Sequence, residues 1–342
     1  MVDERPVSDG LSRRGLLRAG AGRALAPGLL AACGGSEAEI PAPPRSRKIG
    51  LSLAGSYPMA RCVATGAYAA LKGTGYELVV REAGLAAAKE SENIAVFVKD
   101  KVAGLVIQPV QVESATRGAQ FAQQAGVRTS TCMSPGPGPG SKFFAGVVEV
   151  PGRQGGMLIG KWLKDNIPGG GEIIVVQGIL GQGISETLDA GLDAALAAAP
   201  GFGIVTRGPG NLDGGEAVGL VRQAFARHPK ARVVVDYGAV MGDAIAAFLR
   251  DGGRKDVVHV TSDADDATLR WLRTPYLRAT RYFSAAETGR AATKIVLEAV
   301  REAKIAVDPF TVTVAQSMRT AQDVAAAPPF CVPEFEQQAA RI

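Results

Sequence analysis

The sequence predicts an α/β protein of two doubly wound parallel sheets, each with helices on both faces. From residue 48 onward, short runs rich in Val and Ile alternate with longer Ala-rich amphipathic stretches, a repeated strand and helix pattern. Strands as apolar as VAGLVIQ and EIIVVQ must be covered on both faces. The pattern pauses at SPGPGPG, residues 134–140, which has no helix or strand option, and then resumes. With 342 residues, 46% hydrophobic and 21% charged, the chain is long enough for two cores of ordinary size.

The first element is a targeting segment. Ser12-Arg13-Arg14-Gly15-Leu16-Leu17-Arg18 resembles a twin-arginine export motif, and the stretch behind it is interrupted by Arg18 and Arg23. A spanning helix needs about 20 mostly apolar residues, so this reads as a removable signal and not an anchor helix. It ends in Leu30-Ala31-Ala32-Cys33, which resembles a bacterial lipobox, making Cys33 the expected first mature residue and the carrier of a diacylglycerol. Residues 1–33 are thus assigned to the signal, and residues 34–47, GGSEAEIPAPPRSR, to a flexible tether.

The folded part follows. Strands are expected at RKIGLSL, YELVVREA, VAGLVIQ and VRTSTC, with helices at 59–71, 86–99 and 114–124 between them. Beyond the Pro-Gly pause come FFAGVV, a helix over 155–164, and EIIVVQ; further strands are expected at FGIVTR, ARVVVDY, DVVHVTS and YLRATRYF. Ligands of such sheets sit beyond the carboxyl ends of the strands. The informative positions are therefore 55–59, 108–111, 132–134, 177–185, 236–241, 262–265 and 282–284.

Several chemistries fall away. The formal charge is +5, and the first 32 residues carry five arginines against three acidic residues, leaving an excess too small and scattered for nucleic-acid binding. Two His and four widely spaced Cys give no metal-ligand spacing. Gly181-Gln182-Gly183-Ile184-Ser185-Glu186 follows a strand but lacks the third glycine of a dinucleotide loop, and GxSxG is absent. A Cys132 or Ser134 nucleophile would need a base, yet His228 precedes Pro229 at a helix end and His259 lies inside VVHVT. Of the acidic cluster, Asp265 and Asp266 suit the first turn of a helix, whereas Asp263 ends its strand and points to the cleft. No catalytic residue, metal or cofactor is expected.

The order of elements and four strings resemble the periplasmic sugar-binding proteins of the ribose-binding type, the substrate-binding components of ABC importers. The strings are KIGLSLAGSYPMA, VAGLVIQP, QGILGQGISETLDAGLDAAL and DGGRKDVVHVTSDA, and the likeness spans residues 48–316. It implies the periplasmic binding protein-like I architecture, two lobes joined by a three-strand hinge that closes on a ligand. The crossings would fall near 148–150, 283–285 and 310–312. The first lobe would hold 48–149 plus 284–310, the second 150–283 plus 311–322, with a tail over 323–342. The lac-repressor class shares this body behind a helix-turn-helix, where this chain has an export signal instead.

Carried over by position, the resemblance places the ligand among Ser56, Tyr57, Met59, Met133, Ser134, Leu188, Tyr237, Gly238, Asp263 and Phe283. Most of these depart from the family's sugar pattern. Pro58 and Met241 are retained, and only the strand-end Asp survives in place, as Asp263. The expected pocket therefore has an apolar wall with Asp263 as a single polar or cationic anchor. A shift of one or two residues would instead bring Asp236, Gln182 or Arg281 into the cleft. Two of Cys62, Cys132 and Cys331 can pair in an oxidising compartment, and the first two share a lobe.

The expectation is a lipid-anchored, exported solute receptor, in the periplasm or on the outer face of the cell membrane. It would deliver a small molecule to an ABC permease and bind no nucleic acid. The alternatives are a receptor for an apolar or aromatic molecule, or a ligand sensor for a membrane signalling protein.

Overall fold

The computed structural model describes residues 46–134, 138, 140–302, 310–324 and 330–342. The expected signal, the lipidation site Cys33 and most of the tether lie outside these residues.

The first lobe begins with β1 (Lys48–Leu53), α1 (Pro58–Leu71), β2 (Glu77–Glu82), α2 (Ala87–Lys99), β3 (Gly104–Ile107), α3 (Val112–Gln124), β4 (Arg128–Ser134) and β5 (Gly146–Glu149). The chain then crosses into the second lobe, α4 (Gly152–Asn166), β6 (Gly171–Gln177), α5 (Ile184–Leu196), β7 (Phe202–Pro209), α6 (Gly214–Arg227), β8 (Val233–Asp236), α7 (Ala239–Asp251), β9 (Val258–Ser262), α8 (Asp266–Trp271) and β10 (Ala279–Tyr282). It returns through α9 (Ala285–Glu302) and β11 (Phe310–Thr313), crosses again to β12 (Ser317–Arg319), and ends in the short α10 (Glu336–Ala339).

The two sheets repeat one plan. Their orders are β2-β1-β3-β4-β5-β11 and β7-β6-β8-β9-β10-β12, the flavodoxin-like order with a sixth strand added at one edge. Central strands such as β3 and β8 are buried at every residue, in keeping with their Leu-Val-Ile and Val-Val-Val runs. Helix starts follow local chemistry. Pro58 opens α1 with its preset φ, and the Asp213 and Asp265 carboxylates accept backbone N–H groups at the starts of α6 and α8.

The two parallel-sheet lobes stand as expected, with the added strand β12 running antiparallel to β10 at the edge of the second sheet. Two expectations are corrected here. The third crossing does not fall at 310–312, because β11 pairs in register with β5 and the Val314 N–H still bonds the Glu149 carbonyl. The backbone hydrogen bonds hold this segment in the first sheet, and the crossing comes at Ala315 and Gln316. The expected tail is also part of the first lobe over residues 330–342. There Cys331 is bonded to Cys62, Phe335 stacks on Tyr68 at 6.1 Å, and the Val332 N–H donates to Thr65 Oγ1 at 2.9 Å. The Cys62–Cys132 pairing is not formed, and Cys132 is a free thiol buried in β4.

Helix pairs fix the corners of the cleft. Gly66 of α1 lies against the Ala286 carbonyl of α9, and Gly289 of α9 against the Val63 carbonyl of α1. In the second lobe Gly156 of α4 meets the Leu188 carbonyl, and Gly191 of α5 meets the Arg153 carbonyl. The two helices that start at the cleft, α1 and α5, are thus each held by a partner at backbone contact.

Candidate functional site

Between the lobes, the carboxyl ends of both sheets face each other across a cleft. The first lobe contributes Tyr57 and Met59 from the β1–α1 corner, Gln108 and Pro109 after β3, and Met133 from β4. The second contributes Gln182, Ile184 and Ser185 around the start of α5, together with Leu212, Tyr237 and Asp263; Arg281, Phe283 and Val150 close the hinge side. The enclosed space is about 30 Å³, room for roughly two water molecules. An adjoining space of about 20 Å³ lies by Gly238 and Asp265.

Of the residues expected to meet ligand, Tyr57, Met59, Met133, Tyr237, Asp263 and Phe283 line this space and Gly238 lines the adjoining one. Ser56 is exposed on the corner and does not line either. Leu188 is placed wrongly by the sequence comparison: it is fully buried in the core of the second lobe, one turn beyond Ser185. Its carbonyl meets Gly156 of α4 and its side chain belongs to the core cluster that includes Ile159 and Leu163 of the same helix. For Ser134 the structure describes the backbone only, paired with Glu149.

Met133 and Asp263 occupy matching places, at the ends of the fourth strands of the two sheets. Both have left-handed backbones, φ 56° and 66°. Non-glycine residues hold that conformation only where their surroundings impose it, and such positions cluster at functional sites.

The polar groups are extensively cross-linked. Gln108 donates to the Tyr57 hydroxyl at 3.0 Å and its Oε1 accepts from the Ala54 N–H at 3.2 Å, which fixes the phenol over the cleft. Tyr237 donates at 2.8 Å to Asp189, whose carboxylate also takes Gln177 at 2.6 Å and Arg207 at 3.2 Å. Gln182 reaches across the lobes and donates to the Pro109 carbonyl at 3.0 Å. Asp263 is no lone anchor, which corrects the sequence expectation. Arg281, 1% exposed, lies 3.2 Å from Asp263 Oδ1, and Ser262 Oγ lies 3.2 Å from the same oxygen. The pair makes the site close to neutral.

Burial pushes the Asp263 carboxyl above its ordinary range, and Arg281 and Ser262 pull part of that back. Burial, with Asp263 adding to it, lifts the Tyr57 phenol as well, so it remains a proton donor at neutral pH. Burial likewise lifts the Cys132 thiol. His259 is buried in the second lobe, with Nε2 2.7 Å from Asp236 and Nδ1 3.1 Å from the Tyr276 carbonyl. It cannot serve Cys132 in the other lobe, and Asp236 is held in the interior, away from the cleft. Among the described residues no three His, Cys, Asp or Glu side chains gather as metal ligands, and no helix is long and apolar enough to cross a membrane.

Gln108, Gln182 and Ser185 fall within the strand-end segments singled out from the sequence but were not carried into the expected ligand set; Gln182 and Arg281 entered it only under a shifted register, and Leu212 was missed. Gln108 was the most accessible of these. It directly follows a wholly buried strand, where a polar residue has few roles other than facing the cleft.

Solved structures share this architecture. The ABC transporter solute-binding protein of Burkholderia graminis, in complex with D-arabinose, is 20% identical with a TM-score of 0.75, covering 82% of this chain and 97% of its own. One from Mycobacterium smegmatis with bound glycerol is 23% identical with a TM-score of 0.75, covering 84% and 99%. One from Bacillus halodurans with bound myo-inositol is 18% identical with a TM-score of 0.75, covering 82% and 96%. No curated protein matches the chain. A family profile described as "Periplasmic binding protein domain" matches residues 54–304, well over half of the chain, and the chain belongs to that family.

Proposed function

We propose that the protein is the solute-binding component of an ABC importer, tied to the membrane by a diacylglycerol on Cys33. Its solute is a small neutral molecule with a few hydroxyl groups and an apolar face. The reading rests on which cleft groups remain uncommitted. Among the described residues, the Tyr57 hydroxyl accepts from Gln108 but donates to none, Ser185 Oγ accepts from the Gly178 N–H with its own proton free, and Asp263 Oδ2 takes no hydrogen bond. These sit among Met59, Met133, Leu212 and Phe283.

A hydroxyl buried without a partner costs about 1 to 3 kcal/mol, so a fully hydroxylated hexose would lose much of its affinity here. A glycerol-sized or pentose-sized polyol, or a deoxy sugar, asks less of these groups, and entering the space of about 30 Å³ requires the lobes to part. Glycerol and D-arabinose in the similar folds from Mycobacterium smegmatis and Burkholderia graminis lie in that range.

The test is a thermal-shift and calorimetric panel of glycerol, D-arabinose, myo-inositol and benzyl alcohol. Saturable stabilisation by the smaller polyols is expected, since a ligand at one hundred times its Kd adds about 2.7 kcal/mol. Stabilisation by benzyl alcohol alone would replace this reading with the apolar-ligand one. Deleting the chain should abolish uptake of the bound polyol, and Cys33→Ala should move the protein from the membrane to the soluble fraction. Unchanged uptake together with a lost signalling response would transfer the protein to the sensor class.

A further inference from the structure

Arg281 is the largest fully buried side chain among the described residues, and its position gives it reach. From β10 its Nε donates to Ser262 Oγ at 3.0 Å and its Nη2 to Asp263 Oδ1 at 3.2 Å, so it holds the strand end that faces the cleft. In the other direction Nη1 donates to Gln316 Oε1 at 2.6 Å, and Gln316 Nε2 donates to the Pro151 carbonyl at 3.0 Å. The guanidinium carbon also lies 5.1 Å from the centre of the Phe283 ring.

Pro151, Phe283 and Gln316 stand one on each of the three crossings between the lobes. One guanidinium therefore contacts, directly or through one amide, every strand that must twist when the lobes turn. Gly155 of α4 makes room for it: a Cβ there would lie 2.5 Å from Arg281 Nη1 and 2.8 Å from Gln316 Oε1.

We propose that Arg281 and Gln316 form a hinge clasp that holds the lobes at the closed angle and links that angle to the cleft carboxylate Asp263. Both are positioning residues for solute capture. Hydrogen bonds weaken steeply with misalignment, so rotation about the crossings breaks the 2.6 Å and 3.0 Å bonds before it strains any core. The clasp then has two discrete conditions, made and broken, as bistable hinges do. Its pairing with Asp263 keeps the cleft carboxylate in place while the clasp is made, ready for a solute hydroxyl.

The effect on affinity rests on the proposed solute-binding reading; the effect on lobe angle does not. The experiment measures the distance distribution between spin labels placed at Gln120 on α3 and Gln223 on α6, both exposed and on opposite lobes. It is run on the full-length folded chain without added solute. Gln316→Leu removes both bonds of the amide, and Gly155→Ala drives a methyl group into the clasp. Both should broaden the distribution toward longer distances. Gln316→Glu keeps an acceptor for Arg281 but loses the donor to Pro151, and should fall between Gln316→Leu and the parent.

With D-arabinose or glycerol, whichever the parent binds, Gln316→Leu should weaken affinity about tenfold, or about 1.4 kcal/mol. An unchanged distance distribution in Gln316→Leu, with the circular dichroism and melting of the parent, overturns the clasp. A shifted distribution in a protein that binds none of the polyols upholds the clasp and overturns the solute reading. Should Arg281→Met fail to fold, the Gln316 series still decides.

Discussion

Asp243, half-buried on α7, illustrates how single residues respond to their surroundings. Burial, then the charges of Asp265 and Asp236, push its carboxyl up to about 8, while Thr268 and Arg270 act in the opposite direction. The unfolded carboxyl titrates near about 4, so between about pH 4 and pH 8 the folded chain holds a proton that the unfolded chain has released. Stability must therefore fall as pH rises through that window and level off above it. Asp243→Asn keeps the contact with Thr268 and cannot ionise. It should match the parent at pH 4 and melt a few degrees higher at pH 8, and equal differences at both pH values would refute the assignment. At this scale the sequence was only partly legible. Asp263 was readable because it ends a strand, but Arg281, two residues before Phe283, lies inside β10, where periodicity would place an apolar core residue. Leu188 was misplaced because position in a resembling string fixes the turn of a helix and not the face that it presents.

The reciprocal glycines of α1 and α9 make a prediction about whole elements. A methyl group on Gly66 would overlap the Ala286 carbonyl, and backbone atoms of a packed helix cannot yield as a flexible side chain would. Gly66→Ala gains up to about 1 kcal/mol of helix propensity yet should lose about 1 to 3 kcal/mol net from overpacking. Gly219 of α6 has nothing within 4 Å of its virtual Cβ, so Gly219→Ala should stabilise by up to about 1 kcal/mol. Urea titration of the two variants should give midpoints moved in opposite directions; a rise in both would show that propensity and not contact governs these helices, and a fall in Gly219→Ala would refute the open space at that position. The strands and helices themselves were legible because Val and Ile runs and Ala-rich stretches have different periods. The run FTVTVAQSMR was not, because nothing in its composition marks that its first half pairs with β5 and its second with β10.

At the scale of the whole molecule, the Cys62–Cys331 bond joins residues 269 positions apart and ties the end of the chain to α1 just behind the cleft corner. Phe330 beside it packs against Tyr282 at 5.2 Å, so the same strap reaches the strand that leads into the second crossing. A bond closing so long a loop should contribute about 2 to 4 kcal/mol, chiefly by restricting the unfolded chain. The sequence could not have chosen this pairing, since the Pro-rich approach to Cys331 carries no periodicity that would dock it anywhere. Cys331→Ser, Cys62→Ser and the double variant should all lose the same stability, because each removes one shared bond, whereas independent roles for the two sulfurs would make the double loss the sum of the singles. Cys132→Ser disturbs a separate buried site and should add to the loss caused by Cys331→Ser. Reduction of the parent should reproduce the Cys331→Ser melting curve while leaving Cys331→Ser itself unchanged, and a parent insensitive to reductant would remove the strap from the account of stability. Because the strap grips α1 at its first turns, its loss should also loosen Tyr57 and Met59, and the clasp at Arg281 would then hold a cleft with one softened lip.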